Sequence, residues 1–159
     1  MITPAGPART RVTFPSAELF QALVDRMNTQ EDRYRRIGWV DLRLGIRILP
    51  DDRFRQEKLY VLVFDTYTGE PPREIPAGSE IEADCVVEGP YWAWEEMFRN
   101  IAERGKADAA HTLNYLTLTE WPLKLAGDDP LGIDKVFRYH RSLQSFLEEA
   151  AELDITFLS

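Results

Sequence analysis

The apolar positions of this chain follow two periods, and the switches between them mark out the elements. From Trp39 to Ile48 the sequence reads WVDLRLGIRI: Val40, Leu42, Leu44, Ile46 and Ile48 are apolar, and Asp41, Arg43, Gly45 and Arg47 lie between them. Side chains alternate across a strand, so this stretch is predicted as a half-buried strand with one aliphatic face and one charged face. Lys58 to Asp65 is apolar almost throughout (LYVLVF) and reads as a strand covered on both faces. A third strand is predicted from about Glu80 to Glu88, with Ile81, Ala83, Cys85 and Val87 on one face and Glu82, Asp84 and Glu88 on the other. Between the second and third strands, Thr66 to Gly78 contains Gly69, Pro71, Pro72, Pro76 and Gly78, which predicts a loop or wide turn.

The helical period appears first after Ser16, a suitable N-cap, where Leu19, Phe20, Leu23, Val24 and Met27 predict a helix near 17–28. Thr29 to Arg36 reads as a polar connector. Gly89 and Pro90 mark a switch from strand to helix. Tyr91, Trp94, Met97, Phe98 and Ile101 then share one helical face until Gly105. Asp108 to Leu113 is compatible with one short helix. Leu116 to Leu125 returns to alternation and predicts a late strand, at an edge or bulged because of Pro122. After a turn at Gly127 to Pro130, a long helix is predicted over Leu131 to Leu153, with Val136, Leu143, Leu147 and Ala150 in a stripe that also turns His140 inward. Asp154 to Ser159 reads as a short strand or a frayed end. Residues 1–14, with Pro4 and Pro7, are expected to form a loosely ordered arm ending in an extended segment at Arg11 to Phe14, and 15–159 a single domain. Strands joined by short connections, with helices grouped between and after them, predict an α+β fold. Its helices would pack on one face of a largely antiparallel sheet.

At 159 residues the chain is long enough to bury a core without disulfides or metals. No apolar run is long enough to cross a bilayer, and the N-terminus has no secretory pattern. The one cysteine, Cys85, precludes an internal disulfide framework and points to a reducing cytoplasm. A net charge of −8 argues against nucleic acid as a partner, because phosphate-backbone binding needs clustered Lys and Arg. Arg33, Arg35 and Arg36 do cluster, but beside Glu31 and Asp32 they read as a solvated connector.

Catalytic and metal chemistry find little support. Cys85 falls mid-strand on the apolar set, where cysteine is an inert small hydrophobe. There is no GxSxG turn and no glycine-rich phosphate loop, and neither His111 nor His140 has a partner at zinc-helix spacing. The adjacent carboxylates Asp51/Asp52, Glu95/Glu96, Asp128/Asp129 and Glu148/Glu149 diverge on a strand or helix and read as caps or solubilising charge. Among the aromatics of the middle helix, Trp94 and Phe98 belong to the core face. Trp92 either covers a neighbouring element or is exposed.

Taken in order, the opening helix, WVDLRLGIRI, KLYVLVFD, EIEADCVVEG running into PYWAWEEMF, and YLTLTEWPLKLAGDD before the closing helix resemble the sterol carrier protein 2 family of lipid-binding domains. The resemblance covers roughly 17–152 and includes a Gly-Asp pair, Gly127 and Asp128, before the last helix. It implies a five-stranded, largely antiparallel sheet with helices on one face enclosing a hydrophobic tunnel. It also implies noncatalytic binding or transfer of a fatty acid, fatty acyl-CoA or sterol-like lipid, without a cofactor. The side chains implied as lining are Leu42, Leu44 and Ile46, then Met97, Phe98 and Ile101, then Leu116 and Leu118, and finally Val136, Tyr139 and Leu143, with His140 or Tyr139 at the ligand's polar end. Plain core packing is the competing role for each. Two other functions stay open: a small isomerase or cyclase using Asp84 and His140 on a steroid- or polyketide-like substrate, and an accessory or scaffold protein with a closed tunnel that binds through Trp92 or its opening arm. A homodimer and a transient membrane or protein contact also remain open as associations.

Overall fold

The computed structural model describes residues 9–158. Along them run β1 (Arg11–Phe14), α1 (Ala17–Asn28), α2 (Glu31–Ile37), β2 (Val40–Leu49), β3 (Lys58–Thr66), β4 (Thr68–Gly69), β5 (Arg73–Ile75) and β6 (Cys85–Pro90). They continue as α3 (Tyr91–Arg104), α4 (Leu113–Leu116), β7 (Lys124–Ala126), α5 (Pro130–Arg138), α6 (His140–Glu148) and β8 (Asp154–Phe157), with single 3-10 turns at Ala109–His111, Leu118–Glu120 and Glu149–Glu152.

The alternating stretch becomes β2, the middle of a sheet ordered β4-β3-β2-β6-β7. Strand β5 shares the outer edge of β3 with β4, so six strands fill five positions. The β2–β3, β3–β4, β3–β5 and β6–β7 pairs are antiparallel, and β2 with β6 is the parallel exception. The fold is α+β. On β2, Val40, Leu42, Leu44, Ile46 and Ile48 are buried, while Asp41 and Arg43 face solvent. Pairing Leu44 with Leu62 and Ile46 with Val87 carries this aliphatic face onto β3 and β6. Helices α1, α3 and α6 cover it through buried stripes such as Leu19, Leu23 and Met27 of α1 and Trp94, Met97, Phe98 and Ile101 of α3.

Local chemistry sets the helix starts. The Ser16 hydroxyl accepts the Leu19 amide at 3.1 Å, and Asp129 accepts that of Leu131 at 3.0 Å. Helix α3 has no cap from its own Pro90; Asp51, from the β2–β3 loop, accepts the Trp92 amide at 2.8 Å instead. Strands β1 and β8 form a separate parallel pair. Phe14 of β1 is fully buried against the rings of Tyr91, Phe98 and Phe157. The tail, left open between strand and frayed end, is therefore a strand. Residues 1–8 of the expected arm lie outside the described residues.

Several boundaries differ from the sequence reading. The connector at Thr29 to Arg36 runs into helix α2, whose buried residue is Tyr34, with Ile37 partly buried against the core. The third strand begins at Cys85 rather than Glu80. Ile81 does not share a face with Cys85: it lies across the opposite face of the sheet, against Gly45, where an added Cβ would stand 2.7 Å from its Cγ2. The loop after β3 contains β4 and β5. The late strand over Leu116 to Leu125 is mostly helical turns and shrinks to β7, because Leu116 ends α4 and the chain reverses through Thr119 and Glu120 at φ of 55° and 62°. The long last helix breaks at Tyr139 (φ −101°, ψ 13°), and Glu149–Glu152 is a 3-10 turn.

Among the described residues, no helix is long and apolar enough to cross a membrane, and no group of three or more His, Cys, Asp or Glu side chains could hold a metal ion.

Candidate functional site

Between the aliphatic face of the sheet and the helices lies a cavity of about 10 Å³. Leu44 and Ile46 of β2, Leu62 of β3 and Val87 of β6 form its floor. Trp94 of α3, Leu113 of α4, and Leu143, Phe146 and Leu147 of α6 close it. These residues meet because cross-strand pairing gathers the floor in one row, while the i, i+3, i+4 spacing of α6 turns three apolar side chains to the same side. No charged residue is in the lining.

The volume is far below that of a ligand pocket. A cavity needs roughly 10–15 Å³ to hold one water, and ligand pockets run from about 300 to 1,000 Å³. The interior is therefore closed around a space near the size of one water.

Of the residues expected to line a tunnel, Leu44, Ile46 and Leu143 line this cavity. Leu42, Met97, Phe98, Ile101, Leu116, Val136 and Tyr139 are buried, but in surrounding core. Leu118 and His140 are exposed. Leu118 is 61% exposed on the reversed segment after α4. His140 is exposed because the break at Tyr139 rotates it out of the stripe, and its Nδ1 lies 2.8 Å from the Phe137 carbonyl oxygen. Its neighbour Tyr139 goes inward instead and packs its ring on Trp39 with centroids 5.7 Å apart. Leu62, Val87, Trp94, Leu113, Phe146 and Leu147 were absent from the sequence-derived lining. Leu62 and Val87 become visible only through the registers of β3 and β6 on β2.

Asp84 and His140 do not meet. The Asp84 carboxylate accepts the Arg43 amide at 2.8 Å and faces Lys135 at 3.6 Å, on the charged side of the sheet. His140 lies in a separate open groove with Thr112, Asn114 and Arg141. Trp92 is half-buried and covers a neighbour, its ring 6.0 Å from that of Trp121. Burial pushes the Cys85 thiol up to about 11, which leaves it protonated and unreactive near neutrality.

Two buried carboxylates brace the walls. Glu149, just after α6, accepts hydrogen bonds from Arg26 (2.9 Å), Gln30 (2.9 Å), Arg33 (3.2 Å) and Tyr34 (3.1 Å), joining α1 and α2 to the end of α6. Burial first, then the Glu149 charge, holds the Tyr34 phenol well above its ordinary value. Glu95 of α3 accepts from Arg53 at 2.9 Å, Tyr91 at 3.3 Å and Arg99 at 3.4 Å. The cover over the cavity is tied to α3, where Asp108 accepts from the Asn100 amide at 3.0 Å and donates its N–H to Asn100 at 2.8 Å, and to α6. Around Leu113 it rests on two hydrogen bonds to α6, Leu113 N–H to Gln144 (2.8 Å) and Ala107 N–H to Glu148 (2.9 Å), and it exposes Tyr115, Leu118 and Trp121.

No protein-family model matches the chain, and no curated protein matches it in sequence. Solved structures do match in fold. A crystal structure of sterol carrier protein 2 is similar at a TM-score of 0.65 and 18% identity, over 87% of this chain and 97% of that one. The solution structure of a conserved hypothetical protein from Thermus thermophilus, named as a candidate sterol carrier protein, is similar at a TM-score of 0.63 and 17% identity, over 92% of this chain and 96% of that one. The fold is that of sterol carrier protein 2.

Proposed function

We propose that this chain binds or transfers a hydrophobic molecule, a fatty acyl or sterol-like lipid, without catalysis and without a cofactor. The observation that carries this reading is the cavity's lining, apolar side chains and one indole between sheet and helices, in a fold whose solved examples include a sterol carrier protein. Each Å² of lipid surface removed from water there is worth roughly 25 cal/mol. The free energy of uptake comes from that burial, less the cost of opening the cover.

Opening is required, because the closed space falls short of a ligand pocket by more than an order of magnitude. The segment 106–123 is the part that moves. It has short helical turns, two residues at positive φ and outward apolar side chains at Tyr115, Leu118 and Trp121, and its opening would have to expose the buried Leu113, Leu116 and Leu123. Displacing Leu113 and Leu116 would extend the space from Leu44 and Ile46 toward the late segment, where the resemblance also puts its lining. The lone buried thiol agrees with a reducing compartment, the cytoplasm.

A second reading, an accessory protein with a permanently closed core, is favoured by the same small volume. One experiment separates the two. Purified protein is extracted with organic solvent for lipid mass spectrometry, and delipidated protein is titrated with a fluorescent fatty acid. Saturable uptake that unlabelled lipid displaces supports the carrier. A clean extract together with a flat titration refutes it in favour of the closed core.

A further inference from the structure

Helix α6 takes part in two spaces. Its Leu143, Phe146 and Leu147 close the apolar cavity, while His140, Arg141, Gln144 and Glu148 line an open groove of about 380 Å³. The start of α4 divides in the same way: Leu113 lines the cavity, and its neighbours Thr112 and Asn114 line the groove. The junction of α4 with α6 therefore has apolar space on one side and polar space on the other. It is held shut by the hydrogen bond from the Leu113 amide to the Gln144 side-chain oxygen, at 2.8 Å. Displacing Leu113, which uptake already requires, breaks that bond and joins the two spaces.

The groove also carries an uncommitted charge. Arg141 is exposed and has no carboxylate within ion-pair distance among the described residues, although acidic side chains outnumber basic ones 27 to 19. Glu148, the one carboxylate of the groove lining, accepts the Ala107 amide at 2.9 Å. It lies two helical turns from Arg141, about 10 Å along the axis. His140 donates its Nδ1–H to the Phe137 carbonyl at 2.8 Å, since a carbonyl only accepts, and its neutral ring then presents a lone pair at Nε2. The group that can hold an anion is therefore Arg141.

We propose that Arg141 binds the carboxylate head of a fatty acid whose tail passes Leu113 into the cavity. The proposal rests on the uptake reading above and narrows its ligand to an acyl chain with a free acid end. One guanidinium matches one carboxylate in charge and in planar geometry. A phosphate head, at nearly two negative charges, would leave one unmatched in a groove that already holds Glu148. A sterol or a neutral ester gains nothing from the cation.

The test is direct equilibrium binding of radiolabelled palmitic acid and methyl palmitate, delivered from cyclodextrin to the delipidated full-length protein at about pH 8, where a carboxyl is ionised. The variants are Arg141→Gln, Arg141→Lys and Arg73→Gln, which removes the same charge from exposed β5 at the far edge of the sheet. Arg141→Gln should weaken palmitate binding roughly fivefold, as for a solvent-exposed ion pair, and leave methyl palmitate within about twofold. Arg141→Lys should restore most of the loss, and Arg73→Gln should leave both lipids unchanged. If Arg141→Gln shifts both lipids equally or neither, if Arg73→Gln matches its effect, or if the ester binds and the acid does not, the head site is overturned while lipid uptake stands. If neither lipid binds the wild-type protein, the uptake reading fails and this one with it.

Discussion

Replacing Glu149 with alanine should destabilise the protein by about 3 kcal/mol, and the figure can be worked from its four donors. The Arg26 and Arg33 side chains are 37% and 47% exposed, so each can return to water when the carboxylate is lost. Each pair is therefore worth the roughly 0.2–1 kcal/mol of a surface ion pair. Gln30 is also part-exposed and adds a fraction of a kcal/mol at most. Tyr34 differs: it is fully buried, and its hydroxyl would be left without that acceptor, at a cost of about 1–3 kcal/mol. The sum is a large share of the roughly 5–15 kcal/mol that holds a typical domain folded. The assay is equilibrium urea unfolding of the wild-type protein, Glu149→Ala, Tyr34→Phe and the double variant. Tyr34→Phe removes the hydroxyl that Glu149→Ala strands, so the double variant should be less destabilised than the sum by about 1–2 kcal/mol. A Glu149→Ala cost below about 1 kcal/mol, or strict additivity with Tyr34→Phe, would refute the bracing role.

Three further outcomes follow from the packing. Gly132→Ala should cost about 3 kcal/mol or more despite alanine's better helix propensity, since its Cβ would stand 1.8 Å from the backbone oxygen of Asp84, which cannot yield as a side chain can. Gly89→Ala, whose closest obstacle is the Leu123 side-chain end at 2.4 Å, should cost less, and the reverse order in urea midpoints would show that α5 does not lie on β6 this closely. Leu143→Ala, in the cavity wall, should cost about 2–5 kcal/mol and create space for a small apolar guest such as benzene, seen as a rise in thermal midpoint; a cost under about 1 kcal/mol would mean the wall is not packed as described. The Cys85 thiol is held up to about 11, so the folded state keeps a proton that the unfolded chain releases from near 9. Its contribution to stability is complete below that lower value and falls by about 1.4 kcal/mol per pH unit as pH rises toward the higher one. Cys85→Ala should flatten the decline in unfolding free energy between about pH 9 and 11, and an unchanged slope would contradict the burial argument.

The parts legible in the sequence were those with a single strong period. Trp39 to Ile48 alternates without interruption and became the central strand, and Leu19 to Met27 repeats cleanly and became α1. What escaped depended on tertiary partners. Helix α2 has one buried residue, Tyr34, whose hydroxyl bonds to Glu149 over a hundred residues away, so no local apolar stripe announced it. Leu116 and Leu118 are two apart and mimicked a strand, but one is buried and the other points to solvent across a helical turn. His140 lay four residues from Val136 and three from Leu143, as an inward residue would. Tyr139, three from Val136 and four from Leu143, fits the stripe equally well, and the break favours it. The cavity was one-third legible: of its nine lining residues, Leu44, Ile46 and Leu143 were among those the resemblance implied, whereas Val87 needed the parallel pairing of β6 with β2, which no short-range pattern encodes.

The central claim is that a lipid enters the space over Leu44 and Ile46. The most direct measurement is methyl NMR on protein labelled at Leu, Ile and Val methyl groups, titrated with a long-chain fatty acid. The account predicts saturable shifts and lipid contacts at Leu44, Ile46, Leu113 and Leu143, which line the cavity, with the methyls of the cover segment exchanging between two positions. Shifts confined to exposed residues such as Leu118, Leu131 and Leu158, with the four interior residues unmoved at saturation, would contradict it.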